Sequence, residues 1–456
     1  MSSSSPVPSP VGVYLTSDPT SFALTSATAR WPVIITGVID DIHRTALESE
    51  GEKVTEAKEL IEKIGAVKHE IEHDRQLVPL EDDGLDDIAL YNAELERQGP
   101  MTWLNAPWLY SECYLYRKLY SFTVTTKHWK DYDFFGRQKL DAFQSSEVAV
   151  AELALRYKAL SGQLHENITQ EQLKLLFREF IDISLWGNAT DLSLLTNLSL
   201  DQLQSLQGEK ARKESEKNIL VNDVDKAWQA ISGTKDGRVD IVLDNAGFEF
   251  YADILFALFL LDSDLTETVI FHPKSLPWFV SDVLPIDLSV LINALGSSTF
   301  FTSHRNEIDY LHGKLVKYNE EGRILIRTSP FWTTSLAFWE IRENGLGGGH
   351  AVWQDLKNSK TVIFKGDLNY RKLTYDAEWP RSTSFKEAIG PLATSGVKVF
   401  SLRTCKADVV VGLPDGKDVE LEKEWEAKTA ASGKPQTGKG WAWSGKWAVM
   451  PFSTGQ

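Results

Sequence analysis

Cysteine is nearly absent from this chain: Cys113 and Cys405 are the two in 456 residues. That pair cannot build a disulfide framework, and no CxxC or Cys/His spacing offers a zinc site. Long apolar runs are missing too. The longest, Ile254 to Leu261, falls far short of the ~20 residues a spanning helix needs. Positive charge is in deficit, with 48 Lys and Arg against 64 Asp and Glu and a net charge of −16. Such a surface repels nucleic-acid phosphates and anionic lipid, so neither nucleic acid nor a membrane is expected as a partner. It also repels anionic small molecules, so a phosphate site here must carry its own cation or metal. A glycine-rich phosphate loop is lacking as well: GLGGGH (345–350) has neither the GxGxxG nor the GxxxxGK spacing and reads as a flexible loop. The N-terminus has no basic segment leading into an apolar one, so residues 1–30 read as a disordered or extended lead and not as a secretory signal. These absences point to a soluble protein of the reducing cytoplasm, with the nucleus also open to it. They leave the oligomeric state open, and a monomer is compatible with them.

What the chain does have is aromatic bulk, 15 Trp and 21 Phe, enough for thick packed layers. Residues 31–230 carry helical signals. The charged stretch 45–76 repeats Leu, Ile and Val at helical spacing, and 103–122 and 145–164 are more apolar helices. Residues 170–195 start as a helix that breaks at Gly187-Asn188, and 200–223 again read as a charged helix. From 231 to 456 short apolar runs alternate with helical ones: VDIVL (239–243), TVIF (268–271), RILIR (323–327), KTVIF (360–364) and VKVFSL (397–402). Such alternation predicts an α/β domain, a mostly parallel sheet flanked by helices, against which the acidic helical half packs as a cap.

Polar clusters follow these runs. VDIVL ends in Asp244-Asn245, with Glu249 just beyond; the segment after TVIF delivers Asp282; KTVIF leads into GDLNYR (366–371); VKVFSL ends in Arg403-Thr404-Cys405-Lys406. In a parallel sheet the strand-end clusters share the carboxyl edge, where open α/β sheets bind ligands. Two carboxylates and an amide carbonyl suit a hard divalent cation. Arg371, Lys406 and Arg403 offer the positive charge that phosphate requires, and a carboxylate such as Asp244 beside the metal can attack phosphorus. Each cluster alone also has a plain reading as a turn, a helix cap or a solvated loop. Glu112, Tyr116 and Arg117 read as a buried ion pair or packing, and His272 and His350 as satisfied structural histidines. Asn188 and Asp191 fit either loop structure or a cover over the pocket.

Together, LDNAGFE, the VSDV whose Asp282 lies 38 residues after Asp244, KGDLNYRKL and RTxK (here RTCK) resemble the damage-control phosphatase family, formerly domain of unknown function 89. RTxK marks its subfamily III, the branch also named protein-glutamate O-methyltransferase and sugar phosphate phosphatase. LWGNATDLSLL and WLYSECYLYRKL are similar to that branch too, and the likeness spans nearly the whole chain from about residue 30. The resemblance implies an α-helical N-terminal region on a Rossmann-like domain, with metal-dependent hydrolysis of small phosphorylated metabolites such as fructose 1-phosphate and fructose 6-phosphate. By position it implies that Asp244, Asn245 and Asp282 ligate Mn2+, Co2+, Ni2+ or Mg2+. It likewise implies that Asp367, Leu368, Asn369, Tyr370, Arg371 and Lys406 bind substrate. Glu249 and Asp282 match positions assigned to S-adenosylmethionine under the methyltransferase name, which is the alternative function.

Overall fold

Strands that are apolar on both faces must be covered on both, and this chain covers them with helices. The computed structural model describes residues 6–164, 168–187, 216–233, 236–434 and 436–456. The N-terminal helices that matter most are α1 (Trp31–Leu47), α2 (Glu52–Glu72), α3 (Trp108–Val124) and α4 (Gln170–Trp186). The sheet follows with β1 (Ile219–Asn222), β2 (Arg238–Val242), helix α5 (Phe248–Asp262), β3 (Thr268–His272) and β4 (Ile324–Ile326). It is completed by β5 (Thr361–Lys365), helix α6 (Gly366–Leu373), β6 (Val399–Thr404), β7 (Ala448–Met450) and β8 (Phe452–Ser453).

The strand order is β1-β7-β6-β5-β2-β3-β4, with β8 against β6. Strands β2 to β6 are parallel, β7 is antiparallel to β6, and β1 is parallel to β7. From β2 the chain builds outward through β3 and β4, then crosses to the other side of β2 for β5 and β6. The order therefore reverses between β2 and β5, and a crevice opens at their carboxyl ends.

Helix α5 is buried along its whole length from Glu249 to Asp262. A helix apolar on every side needs cover on every side. The sheet supplies one wall, and α4 with the helix Glu147–Gln163 supplies another, Phe180 stacking on Phe259 at 4.6 Å. The earlier helices do something different. α1, α2 and α3 enclose an aromatic core of Trp31, Trp103, Trp108 and Tyr114, and that core takes in Leu276, Trp278, Leu368 and Ala407 from beyond the ends of β3, β5 and β6. They sit over the edge of the sheet. Within them, fully buried Arg117 donates to Asp87 at 2.7 and 2.8 Å and to Asp83 at 2.7 and 3.0 Å, so it is a structural ion pair.

Several sequence expectations change here. Residues 219–222, expected helical, form β1 because Ile219 and Val221 find partners in Ala448 and Val449, a long-range pairing that outweighs local propensity. The extended lead stops at Ser21 and not at residue 30, since Ser21 caps a helical run from Phe22 to Leu47. That run is long and apolar enough by length and composition to cross a membrane; in this fold its Trp31, Ile35, Val38 and Ile42 pack into the aromatic core. The stretch 45–76 is divided at Gly51, whose φ of +64° ends any helix. GLGGGH is a close-packed turn and not a flexible loop: a Cβ on Gly345 would lie 1.7 Å from the Glu340 carbonyl oxygen. Asn188 and Asp191 lie outside the described residues.

Removing Arg117 leaves the carboxylates of Asp83 and Asp87 without their shared cation. Arg117→Met is expected to lower unfolding free energy by about 3–5 kcal/mol in urea titrations; a loss below about 1 kcal/mol would show that the pair is solvated.

Candidate functional site

At the crevice, Asp244 Oδ2 accepts from Asn245 Nδ2 at 2.8 Å, and the same amide donates to Glu249 Oε2 at 2.8 Å. Asn245 bridges to Asp282, and Ser281 Oγ donates to Asn245 Oδ1 at 2.5 Å. Backbone bonds from Val283 N to Asp244 O (2.8 Å) and from Ala246 N to Ser281 O (2.7 Å) lock the loop after β3 onto the end of β2. The loop is strained as it arrives, since Phe279 and Val280 hold φ of +45° and +71°. A β-branched residue in the left-handed region persists only when its surroundings enforce it. Tyr116 of α3 does so, stacking on Phe279 at 4.8 Å.

Asp244, Asn245, Glu249 and Asp282 therefore converge. Burial, reinforced by the charges of Glu249 and Asp282, pushes the Asp244 carboxyl well above the usual carboxylate range. Burial lifts Asp282 to about 6 against the pull of Lys274. Fully buried Lys274 places its Nζ 2.5 Å from Leu243 O and 3.3 Å from Asp282. Lys365 lies 3.4 Å from Glu249, but its shorter bonds go to Asp253 at 2.7 Å and Ser184 O at 2.6 Å. Among the described residues no cation touches Asp244, its Oδ1 accepts no hydrogen bond, and buried Asp282 Oδ2 has the Lys274 ammonium at 3.3 Å as an ion-pair partner without a well-aligned hydrogen bond. Oxygen ligands crowded together with spare lone pairs are what a hard divalent cation satisfies.

The backbone shape agrees. Gly366, at φ +80°, passes so close that a Cβ there would lie 1.9 Å from Asp244 Oδ2. Only glycine lets the start of α6 reach Asp244, and that start presents free N–H groups and the positive end of the helix dipole.

The remaining motif residues divide. Lys406 is exposed and its ammonium has no partner among the described residues, while its backbone N–H donates to Asp367 at 2.9 Å. Arg371 and Arg403, expected as phosphate-binding cations, are committed elsewhere. Arg371 holds Glu112 at 2.7 Å and Asp376 at 2.8 and 3.0 Å, with its guanidinium 3.7 Å above the Trp108 ring. Arg403 is fully buried, bonded to Asp367 at 2.8 Å and stacked on Tyr370 at 4.3 Å. Asn369 donates to Leu243 O (3.0 Å) and Lys365 O (2.7 Å), tying β2 to β5. Leu368 is packed in the aromatic core, and Tyr370 accepts from Val411 N at 3.2 Å. The motif GDLNYR thus shapes α6 with its side chains and faces the crevice with its backbone.

A second cluster has ligand types but already holds a cation. Asp240, His272 and Asp355 lie together, yet Arg238 donates to Asp240 at 2.9 Å and to Asp355 at 2.8 Å, and His272 pairs with Asp240 at 2.7 Å. It is an ion-pair network. Sequence reasoning missed Lys274 and Lys365; their signal was a lone lysine closing or just following an apolar strand.

The chain matches the model of the "Damage-control phosphatase ARMT1-like domain" over residues 26–421. It is 32% identical over 453 residues to damage-control phosphatase ARMT1 of Danio rerio, covering 95% of each chain. The human protein of that name is 32% identical over 431 residues, 89% of this chain and 93% of its own. A crystal structure of a DUF89 family protein from Pyrococcus horikoshii superposes with a TM-score of 0.37 and 14% identity over 73% of this chain and 85% of that one.

Titration calorimetry with Mn2+ checks the centre directly. Asp282→Asn is expected to weaken binding by tenfold or more, about 1.4 kcal/mol, and Gly366→Ala by a similar factor; unchanged affinity in Asp282→Asn would remove that residue from the ligand set.

Proposed function

The chain belongs to the damage-control phosphatase ARMT1-like family, and from that membership we propose that it is a metal-dependent hydrolase of small phosphomonoesters. The observation that carries the reading is the pairing of an unpartnered Asp244 Oδ1 with the start of α6, brought within contact by Gly366 at the reversal of strand order. A carboxylate nucleophile and a cluster of N–H donors are the two halves of a phosphoryl-transfer site.

Asp244, Asn245 and Asp282 hold the cation, Mn2+, Co2+, Ni2+ or Mg2+, which when bound supplies a Lewis acid for a phosphoryl oxygen. Asp244 Oδ1 attacks phosphorus, the ester P–O bond breaks, and the leaving alcohol takes a proton from solvent. Water then attacks the aspartyl-phosphate, inorganic phosphate departs, and the carboxylate is restored. The backbone N–H groups of α6 and the Lys406 ammonium hold the phosphoryl oxygens while charge develops on them. Lys274 anchors Asp282, and Glu249 fixes the amide of Asn245. Fructose 1-phosphate and fructose 6-phosphate are the substrates we favour. The S-adenosylmethionine alternative needs Glu249 free for a ligand, and its two oxygens face Asn245 and Lys365.

The purified full chain is expected to release phosphate from p-nitrophenyl phosphate and fructose 1-phosphate with added divalent metal and to stop in EDTA. Asp244→Asn should lower kcat about a thousandfold, roughly 4 kcal/mol, with an unchanged circular dichroism spectrum. Turnover that survives EDTA, or full activity in Asp244→Asn, contradicts the reading.

A further inference from the structure

Glu112 and Tyr116 lie one turn apart on the same face of α3. Glu112 is fully engaged, accepting from Trp31 Nε1 at 3.2 Å and from Arg371 at 2.7 Å. The Trp31 bond brings the start of α1 against this face, and with it Arg30, the last residue of the π-helical turn Ser26–Arg30. Such turns are rare and recur at functional sites. Arg30 is exposed, and its contacts are a 3.4 Å bond to Ser26 Oγ and the Phe22 ring at 5.3 Å. Tyr116 leans toward the other side of the crevice, between Phe279 at 4.8 Å and Trp278 at 5.8 Å, three to four residues before Asp282.

Tyr116 is 1% exposed, yet its hydroxyl has no hydrogen-bond partner among the described residues and is not sealed from solvent. A phenol whose ring is buried and whose hydroxyl alone reaches solvent is open to a hydrogen bond from water or from a bound molecule. Burial raises the Tyr116 hydroxyl well above its ordinary value, with Glu112 and Asp282 acting in the same sense and Arg30 opposing them. By geometry the phenol meets the segment that leads to Asp282 through Phe279 and Trp278, and Arg30 is brought to the same helix face by the bond between its neighbour Trp31 and Glu112. On the sheet edge, by contrast, the groups left open are suited to a phosphoryl group, because Arg371 and Arg403 are committed to carboxylates.

We propose that Tyr116 and Arg30 form the subsite that holds the alcohol half of the ester, and that they select alcohols rich in hydroxyl groups. A phenol hydroxyl both donates and accepts, a guanidinium presents paired donors, and the half-buried Phe279 ring offers a face to C–H groups. That combination matches a polyol, and its neutral members, the phenol and the ring, add little to the binding of a bare phosphate. This assignment rests on the phosphatase reading and adds the specificity that the metal corner lacks. Tyr116 and Arg30 come from the helical cap, so the two halves of the substrate are held by the two halves of the chain.

The test compares fructose 1-phosphate with inorganic phosphate by titration calorimetry in the Asp244→Asn full chain, at a Mn2+ concentration shown by the same method to saturate that variant, with and without Tyr116→Phe or Arg30→Gln. Tyr116→Phe keeps the ring and its stacking, so folding is preserved. Each added substitution is expected to lower the ratio of sugar-phosphate to phosphate affinity about fivefold, within the range of one hydrogen bond. An unchanged ratio in both variants overturns the subsite. Phosphate release by the wild-type chain is measured alongside: a ratio that falls while the wild type releases no phosphate keeps the subsite and refutes the phosphatase reading.

Discussion

Asp244 stands where the strand order reverses, with the carboxylates of Glu249 and Asp282 beside it and no described cation in contact. Much of the surrounding structure exists to hold that arrangement. Like charges brought together in a buried corner repel, and the corner persists because covalent geometry and neighbouring bonds leave the side chains nowhere else to go. Asn245 spans Asp244 and Glu249 with one amide, Lys274 steadies Asp282 from below, and the strained turn at Phe279 and Val280 delivers Asp282 to its place. Gly366 completes the corner by bringing a helix start against the same carboxylate.

The helical cap is part of this arrangement. Its aromatic core includes Leu276, Trp278, Leu368 and Ala407, so cap and edge share one hydrophobic cluster. Two polar links add direction to that packing. Arg371 reaches from α6 to Glu112 of α3, and Lys365 reaches from β5 to the last turn of α4 at Ser184. Both are buried, so breaking either leaves an uncompensated charge inside the protein. The position of α6 relative to Asp244 is thereby coupled to the position of the helices above it.

The corner itself was legible in the sequence because strand ends announce themselves: an apolar run that stops at Asp244-Asn245 says where a side chain meets the crevice. The parallel sheet was legible for the same reason. Arg371 and Arg403 were not, since a guanidinium in a motif looks available until its carboxylate is seen, Glu112 at 259 residues' distance for Arg371 and Asp367 for Arg403. Lys274 and Lys365 escaped notice because a buried lysine is recognisable only from its partners. Residues 219–222 had helical surroundings and became a strand through pairing with the C-terminal segment, which no local window contains. Gly345 was taken for flexibility when its role is room, a distinction that depends on the Glu340 carbonyl across the turn.

Anomalous diffraction at the manganese edge from crystals of the full chain grown with Mn2+ tests the central claim most directly. A single strong peak is expected about 2.0–2.6 Å from oxygens of Asp244, Asn245 and Asp282, beside the start of α6. A peak at Asp240, His272 and Asp355 instead, or none at the crevice under saturating metal, would contradict the assignment.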